Sequence, residues 1–338
     1  MTRMRSRTAH LLLIAVMLLA IAAAVTLTLW GTRWTVPQAP STGAGYVFEA
    51  TWHGADNPAG RLERPIGIAV SPTGDVYVTD ALQRVVRFSA DGAFQEEWGS
   101  PGEGPGEFSN AVGTAVGSNG VVYVSDYDRD RIQKFSPTGE VLGEFGRSGS
   151  GPGEFSAPAD LSLDHDGFLY VADFYNHRVQ KLGAEGSFQR VIGHAGRVGP
   201  GALHYPTGVT ITARRELLVA DAYNYQLHWF DLEGQPLHRA GYHLFWFWPR
   251  PARSPAGFFV PTDAAEGPAG IIHVADSGNH RVVMLSATGE RLGHWELPDP
   301  NPDIYSPEQV AVSPDGNRVY ATDLGRDRIL VLEVSGPR

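Results

Sequence analysis

The chain has 338 residues, with 40 glycines, 24 prolines, 10% aromatics and no cysteine. That mix suits many short strands joined by tight turns, and it excludes disulfides, thiolate metal sites and cysteine nucleophiles. The formal net charge is −10, falling to about −14 once Arg3, Arg5, Arg7 and Arg33 at the N-terminus are set aside; such a field repels a nucleic-acid backbone, and no Lys/Arg run offsets it.

Residues 1–10 are expected on the cytoplasmic side. Residues 11–30, LLLIAVMLLAIAAAVTLTLW, are apolar or nearly so. A run of that length at helical rise just spans a bilayer core. The arginines before it orient the N-terminus inward, and Trp30 and Trp34 fall where an outer aromatic belt would lie. The rival reading is a cleaved signal peptide with Ala22-Ala23-Ala24 as the small-residue site. The apolar run continues past that site to Trp30, which favours an uncleaved anchor. Either reading puts the rest of the chain outside the cytoplasm, so the expected location is the cell membrane, single-pass, with the globular part extracytoplasmic. Residues 31–45, ending in TVPQAPSTGAG, read as a linker.

From residue 46 the chain repeats. One unit reads P-x-G-(I/V)-x-V, a turn, Y-V-x-D, then R-(V/I)-x-(K/R)-F. Its aspartate recurs at Asp80, Asp126, Asp173, Asp221, Asp276 and Asp323, with spacings of 46, 47, 48, 55 and 47. Each unit holds short runs of period-2 hydrophobicity, which argues for strands. In the third unit these are LSL (161–163), FLYVAD (168–173), HRVQKL (177–182) and FQRVIG (188–193). Four antiparallel strands per unit of this length form a propeller blade. The sixth unit stops too early for a fourth strand. VFEATWHG (47–54) matches AFQEEWGS (93–100), the fourth strand of the first unit. The N-terminal strand is therefore predicted to complete the last blade and close the ring, removing a long unpaired edge. The predicted architecture is all-β: a six-bladed β-propeller over 46–338, preceded by one transmembrane helix.

The segments YVSDYDRDRIQKF (123–135), YVADFYNHRVQKL (170–182) and HVADSGNHRVVML (273–285) resemble NHL repeats. So do the loops GSPGEGPGEF (99–108) and GRSGSGPGEF (146–155). The resemblance implies a six-bladed propeller that serves as sensor, scaffold or enzyme.

What recurs in every blade reads as scaffold, because a site needs different groups from different blades. The pairs Asp80/Arg84, Asp126/Arg131, Asp173/Arg178, Asp276/Arg281 and Asp323/Arg328 are expected to cap turn amides and pair with each other. Asp164-His165-Asp166-Gly167 aligns with plain hairpin turns, and Asp126, Asp128 and Asp130 lack the glutamate of a calcium loop. His273 fills an inward-facing aromatic slot on a second strand. The amidating lyase that resembles NHL proteins takes metal-binding histidines from the starts of its inner strands. Here those starts carry none, so such a zinc site is not expected. Gluconolactonase-like propellers use carboxylates there, and Asp160, Asp263 and Glu308 are the acidic residues at these starts. They either converge on a divalent cation or cap strand ends in solvent. No other cofactor motif is present.

Two features break the repeat. The longest spacing comes from an insertion between units four and five, Tyr242-His243-Leu244-Phe245-Trp246-Phe247-Trp248-Pro249-Arg250-Pro251. Exposed, it marks a partner, ligand or membrane contact; folded back, it is extra core. Strand alternation places it on the same rim as Tyr127, Tyr175, Tyr223 and Tyr225. That rim is the expected recognition face for a protein partner or small ligand, and the opposite rim, with short hairpins, offers little. The expected function is a binding or scaffolding module; the alternative is a divalent-cation-dependent hydrolase or lyase with its site in the central channel.

Overall fold

The computed structural model describes residues 45–54, 61–241, 257–301 and 303–335. The apolar run at 11–30, its flanks and the aromatic insertion at 242–251, with Tyr242, Phe245, Trp246, Phe247 and Trp248, lie outside the described residues. No helix among the described residues is long and apolar enough to cross a membrane.

Six four-stranded antiparallel sheets follow one another along the chain. Blade one holds strands Ile68–Val70, Val76–Asp80, Arg84–Phe88 and Phe94–Trp98. Blade two holds Ala111–Val116, Val122–Asp126, Arg131–Phe135 and Val141–Phe145. Blade three is Pro158–Leu163, Leu169–Asp173, Arg178–Leu182 and Phe188–Ile192. Blade four is Pro206–Ile211, Glu216–Asp221, Gln226–Asp231 and Pro236–Ala240. Blade five is Pro261–Glu266, Ile272–Asp276, Arg281–Leu285 and Arg291–Glu296. Blade six is Val310–Val312, Arg318–Asp323, Arg328–Ser335 and, from the other end of the chain, Gly45–Trp52. Strands are called a to d in that order within each blade.

The predicted closure is present. Gly45–Trp52 runs antiparallel to the strand ending at Ser335, from Gly45↔Ser335 to Trp52↔Ile329, with a bulge at Phe48/Ala50. A second contact checks it. The glycine of each c–d hairpin sits against the d strand of the preceding blade. A Cβ added to Gly139 would lie 2.6 Å from the Trp98 ring, and one added to Gly92 would lie 2.4 Å from the ring of Trp52. Trp52 thus meets blade one as Trp98 meets blade two, and the ring closes by repeating its own interface.

Strand patterning follows position. The middle strands b and c pack on both faces, so runs such as Val76–Asp80 and Arg131–Phe135 are buried throughout. Outer strands such as Phe94–Trp98 alternate between half-buried and exposed, as a half-solvated sheet requires. The core is not one mass. Each neighbouring pair of blades shares its own apolar cluster, as with Tyr77, Val85 and Phe108 against Val122, Val124 and Phe135. Between blades three and four, Tyr170, Val179 and Ile192 meet Val209, Val219 and Phe230. A propeller therefore depends on every interface at once, and closure adds the last one, where Val78 and Phe88 meet Tyr320 and Ile329.

Candidate functional site on the channel rim

The repeated aspartates are buried scaffold. Asp126 accepts the amides of Ser109 and Asn110, both at 3.0 Å, and holds Arg131 at 3.1 Å. Arg131 in turn donates to the carbonyl of Glu107 at 2.9 Å. The pair ties strand b to the connection entering its own blade, rather than capping only the b–c turn. Asp173/Arg178 and Asp276/Arg281 repeat this, at 2.7 and 2.6 Å. The residue closing each b–c turn is left-handed, and in four blades its side chain ties the next blade: Gln83 accepts the amide of Ala111, Asp130 that of Ala157 at 2.7 Å, His177 that of Tyr205, and Asp327 that of Arg64 at 2.8 Å across the closure. Asp164 accepts the amides of Asp166 and Phe168 at 3.0 and 2.9 Å, as a hairpin residue does. His273 is buried, hydrogen-bonded through Nδ1 to Tyr46 Oη at 2.8 Å, and burial drives its pKa down to about 3.

Blade four breaks the scaffold. Gln226 stands where others carry arginine, and His228 where blades two and three carry Gln133 and Gln180. Asp221 is fully buried without a bonded guanidinium; the charge of Arg197 reaches it only from a distance. It accepts the amide of His204 at 2.7 Å and Asn224 Nδ2 at 2.6 Å. Burial pushes its pKa to about 7 and that of His228, whose Nε2 lies 3.4 Å away, down to about 4.

The channel is crossed at its waist. Gln309 of blade six donates from Nε2 to Asp160 of blade three at 3.1 Å, while its Oε1 accepts the amide of Ile68 in blade one at 3.0 Å. Asp160 also accepts the amide of Val209 in blade four at 2.9 Å, and Asp263 accepts that of Val310 in blade six at 3.0 Å. These two carboxylates are buried and tie neighbouring inner strands; neither caps a strand end in solvent. Blades one and two do the same work with Gly67/Thr79 and Gly113/Ser125. Thr79 Oγ1 donates to Val112 O at 2.6 Å and Ser125 Oγ to Ala159 O at 2.8 Å. A Cβ on Gly67 would fall 2.0 Å from Val112 O, and one on Gly113 2.2 Å from Ala159 O. Burial pushes Asp160 up to about 7 and Asp263 well above the carboxylate range, the latter raised further by the charge of Asp160. Among the described residues no group of three or more histidine and acidic side chains is placed to hold a metal ion.

Above this waist, on the rim of b–c turns and d–a connections, lies a hollow of ≈ 230 Å³ walled by Tyr127, Phe174, Tyr223 and Tyr305, with Glu308 and Gln309 in its lining. The rings continue outward as one surface. Tyr127 lies 6.3 Å from Tyr175, Phe174 4.9 Å from both Tyr175 and Tyr205, and Tyr205 5.2 Å from Tyr223. Tyr175, Tyr223 and Tyr305 are 55%, 43% and 47% exposed. The structure thus brings together Tyr127, Tyr175 and Tyr223, and adds Phe174, Tyr205 and Tyr305, which sequence reasoning missed. The adjacent rings Phe174-Tyr175 and the pair His204-Tyr205, where blades two and three carry Ser109-Asn110 and Ser156-Ala157, were the available signal.

The opposite rim, expected to offer little, also has concavities. It holds a hollow of ≈ 210 Å³ at the other channel mouth and an open one of ≈ 700 Å³ between hairpins of blades one and six. The larger is walled by polar turns, and its Arg318 is already bridged to Glu49. It presents no ring cluster, so the tyrosine rim is the stronger candidate.

A profile of the NHL repeat matches residues 108–135 and 155–182, in blades two and three. The chain carries NHL repeats. No curated protein matches it. Among solved structures, the NHL propeller is similar to a streptogramin B lyase, at TM-score 0.57 and 16% identity, covering 87% of this chain and 99% of that one. It is similar to virginiamycin B lyase from Staphylococcus aureus, at 0.57 and 14%, covering 86% and 99%. It is also similar to hydrazine synthase of Kuenenia stuttgartiensis, at 0.57 and 14%, covering 87% and 100%. At these identities the likeness concerns the propeller fold alone.

Proposed function

We propose that this protein is a membrane-tethered NHL propeller that binds a protein partner or small ligand on its tyrosine-lined rim, outside the cytoplasm. The carrying observation is the continuous ring surface around the ≈ 230 Å³ channel mouth. Exposed, contiguous aromatic surface next to a concavity is what recognition sites need and what a solitary fold does not. The tether rests on the apolar run at 11–30, and the aromatic insertion at 242–251 belongs in sequence to the same rim. The test is capture of a crosslinked partner from membranes by the full-length chain. Tyr175→Ala combined with Tyr223→Ala removes two exposed rings and is expected to abolish capture at unchanged melting temperature. Undiminished capture refutes the rim as the site.

The second reading is a divalent-cation-dependent hydrolase or lyase acting in the channel, favoured by the lyases among proteins of similar fold. Against it stand the oxygens of Asp160 and Asp263, which already accept backbone amides of neighbouring blades. Metal retained by purified protein, and lost on Glu308→Ala, would reverse that preference.

A further inference from the structure

We infer that the channel mouth on the tyrosine rim is a binding site for an organic cation, an ammonium group on a short apolar stem. The inference rests on the reading of that rim as the binding face and names the ligand class for it.

Three observations converge. The first is Glu308. Its carboxylate lines the hollow, and no side chain or backbone group among the described residues is hydrogen-bonded to it or paired with it. Burial alone raises its pKa to about 7. Glu308 is half-buried, and a carboxylate held in such a hollow without a bonded partner gains from a cation that enters from outside. The second is the wall. Tyr127, Phe174, Tyr223 and Tyr305 present ring surface to the same hollow, and ring faces attract cations, ammonium groups especially. The third is the absence of competition. Among the described residues, Glu308 is the one charged residue in the lining, and no lysine, arginine or histidine contributes. A low-dielectric funnel that ends in a carboxylate concentrates counter-ions. An inorganic cation would leave the rings unused, whereas an ammonium on an apolar stem uses both ring and carboxylate. The volume of ≈ 230 Å³ admits the end of such a molecule.

The experiment is calorimetry on the full chain in detergent at pH 8, with phenethylamine, its neutral analogue 2-phenylethanol, and Nα-acetyl-lysine methylamide. The amine is expected to bind at least about tenfold more tightly than the alcohol, the scale of one cation–π contact plus one charge pair. Glu308→Gln should remove that preference and leave the alcohol unaffected. Should that variant not fold, Tyr305→Leu, at an exposed position, keeps apolar area but loses the ring and should cut the preference severalfold. The lysine derivative binding more tightly than phenethylamine would assign the cation to a protein side chain, and the reverse to a free amine; both support the class. Equal binding of amine and alcohol overturns the inference, as does amine binding unchanged by Glu308→Gln and Tyr305→Leu. If neither probe binds while Tyr175→Ala with Tyr223→Ala still abolishes partner capture, the cation site fails and the rim reading stands. If capture also survives that double substitution, both fail.

Discussion

Asparagine at the repeated aspartate should have opposite effects in blades three and four. Asp173 is fully buried, with Arg178 Nε at 2.7 Å, Gln180 Nε2 at 3.0 Å and the Ser156 amide at 2.8 Å. Asp173→Asn leaves a largely buried guanidinium without its carboxylate, and removing one partner of such a pair costs about 3–5 kcal/mol. Asp221 has the same burial and no bonded guanidinium. Its folded pKa of about 7 stands above the ordinary 3.8. The native state therefore holds this proton where the unfolded chain has lost it, and stability falls as pH rises from about 4 to about 7. Above pH 7 the ionised group carries a cost on the order of 4 kcal/mol, at 1.36 kcal/mol for each pKa unit. Asp221→Asn keeps an acceptor for the His204 amide and removes the charge. Neighbouring groups do not cancel the effect: the value of about 7 already includes the opposing charge of Arg197, His228 is neutral above about pH 4, and burial also lowers His204. Urea melts of wild type and both variants at pH 5, 6, 7 and 8 test this. Asp221→Asn should gain stability over wild type progressively toward pH 8, while Asp173→Asn loses it throughout. A loss in Asp221→Asn equal to that in Asp173→Asn at pH 8 would refute the argument that blade four lacks a compensated carboxylate.

Gly113→Ala should destabilise by more than about 3 kcal/mol, because its Cβ would lie 2.2 Å from Ala159 O and the two inner strands would have to separate. Gly167→Ala, in a hairpin with open space around it but φ +82, should cost only about 1 kcal/mol; comparable melting temperatures for the two would contradict the inner-strand account. Deleting residues 1–52 removes strand d of blade six and should yield protein that aggregates or fails to melt cooperatively, since the strand ending at Ser335 becomes an open edge. Tyr46→Phe should cost about 1 kcal/mol by leaving His273 Nδ1 without its partner, measured by the same melts.

Much of this molecule was legible along the chain because its information is local and repeated. The match between Trp52 and Trp98 was enough to place the closing strand, and recurrence alone identified Asp126/Arg131 and its equivalents as scaffold. The chemistry at the waist was less legible. Asp160 and Asp263 stood out as acids at strand starts, yet their role depends on what blade four or six brings opposite them. Gln309, the residue that spans the channel, gave no signal, because an amide is unremarked until its two partners, 241 and 149 positions away, are known.

Six blades and the order of their strands could be read along the chain, because period-2 burial and a recurring aspartate need only near neighbours to be satisfied. Only the closed ring decided which departures from the repeat meet. Tyr127 and Tyr223 could be placed on one rim by strand alternation, but nothing along the chain joins them to Phe174, Tyr305 and Glu308. Curving six interfaces into a circle turns those positions inward to one mouth, where they share a single hollow.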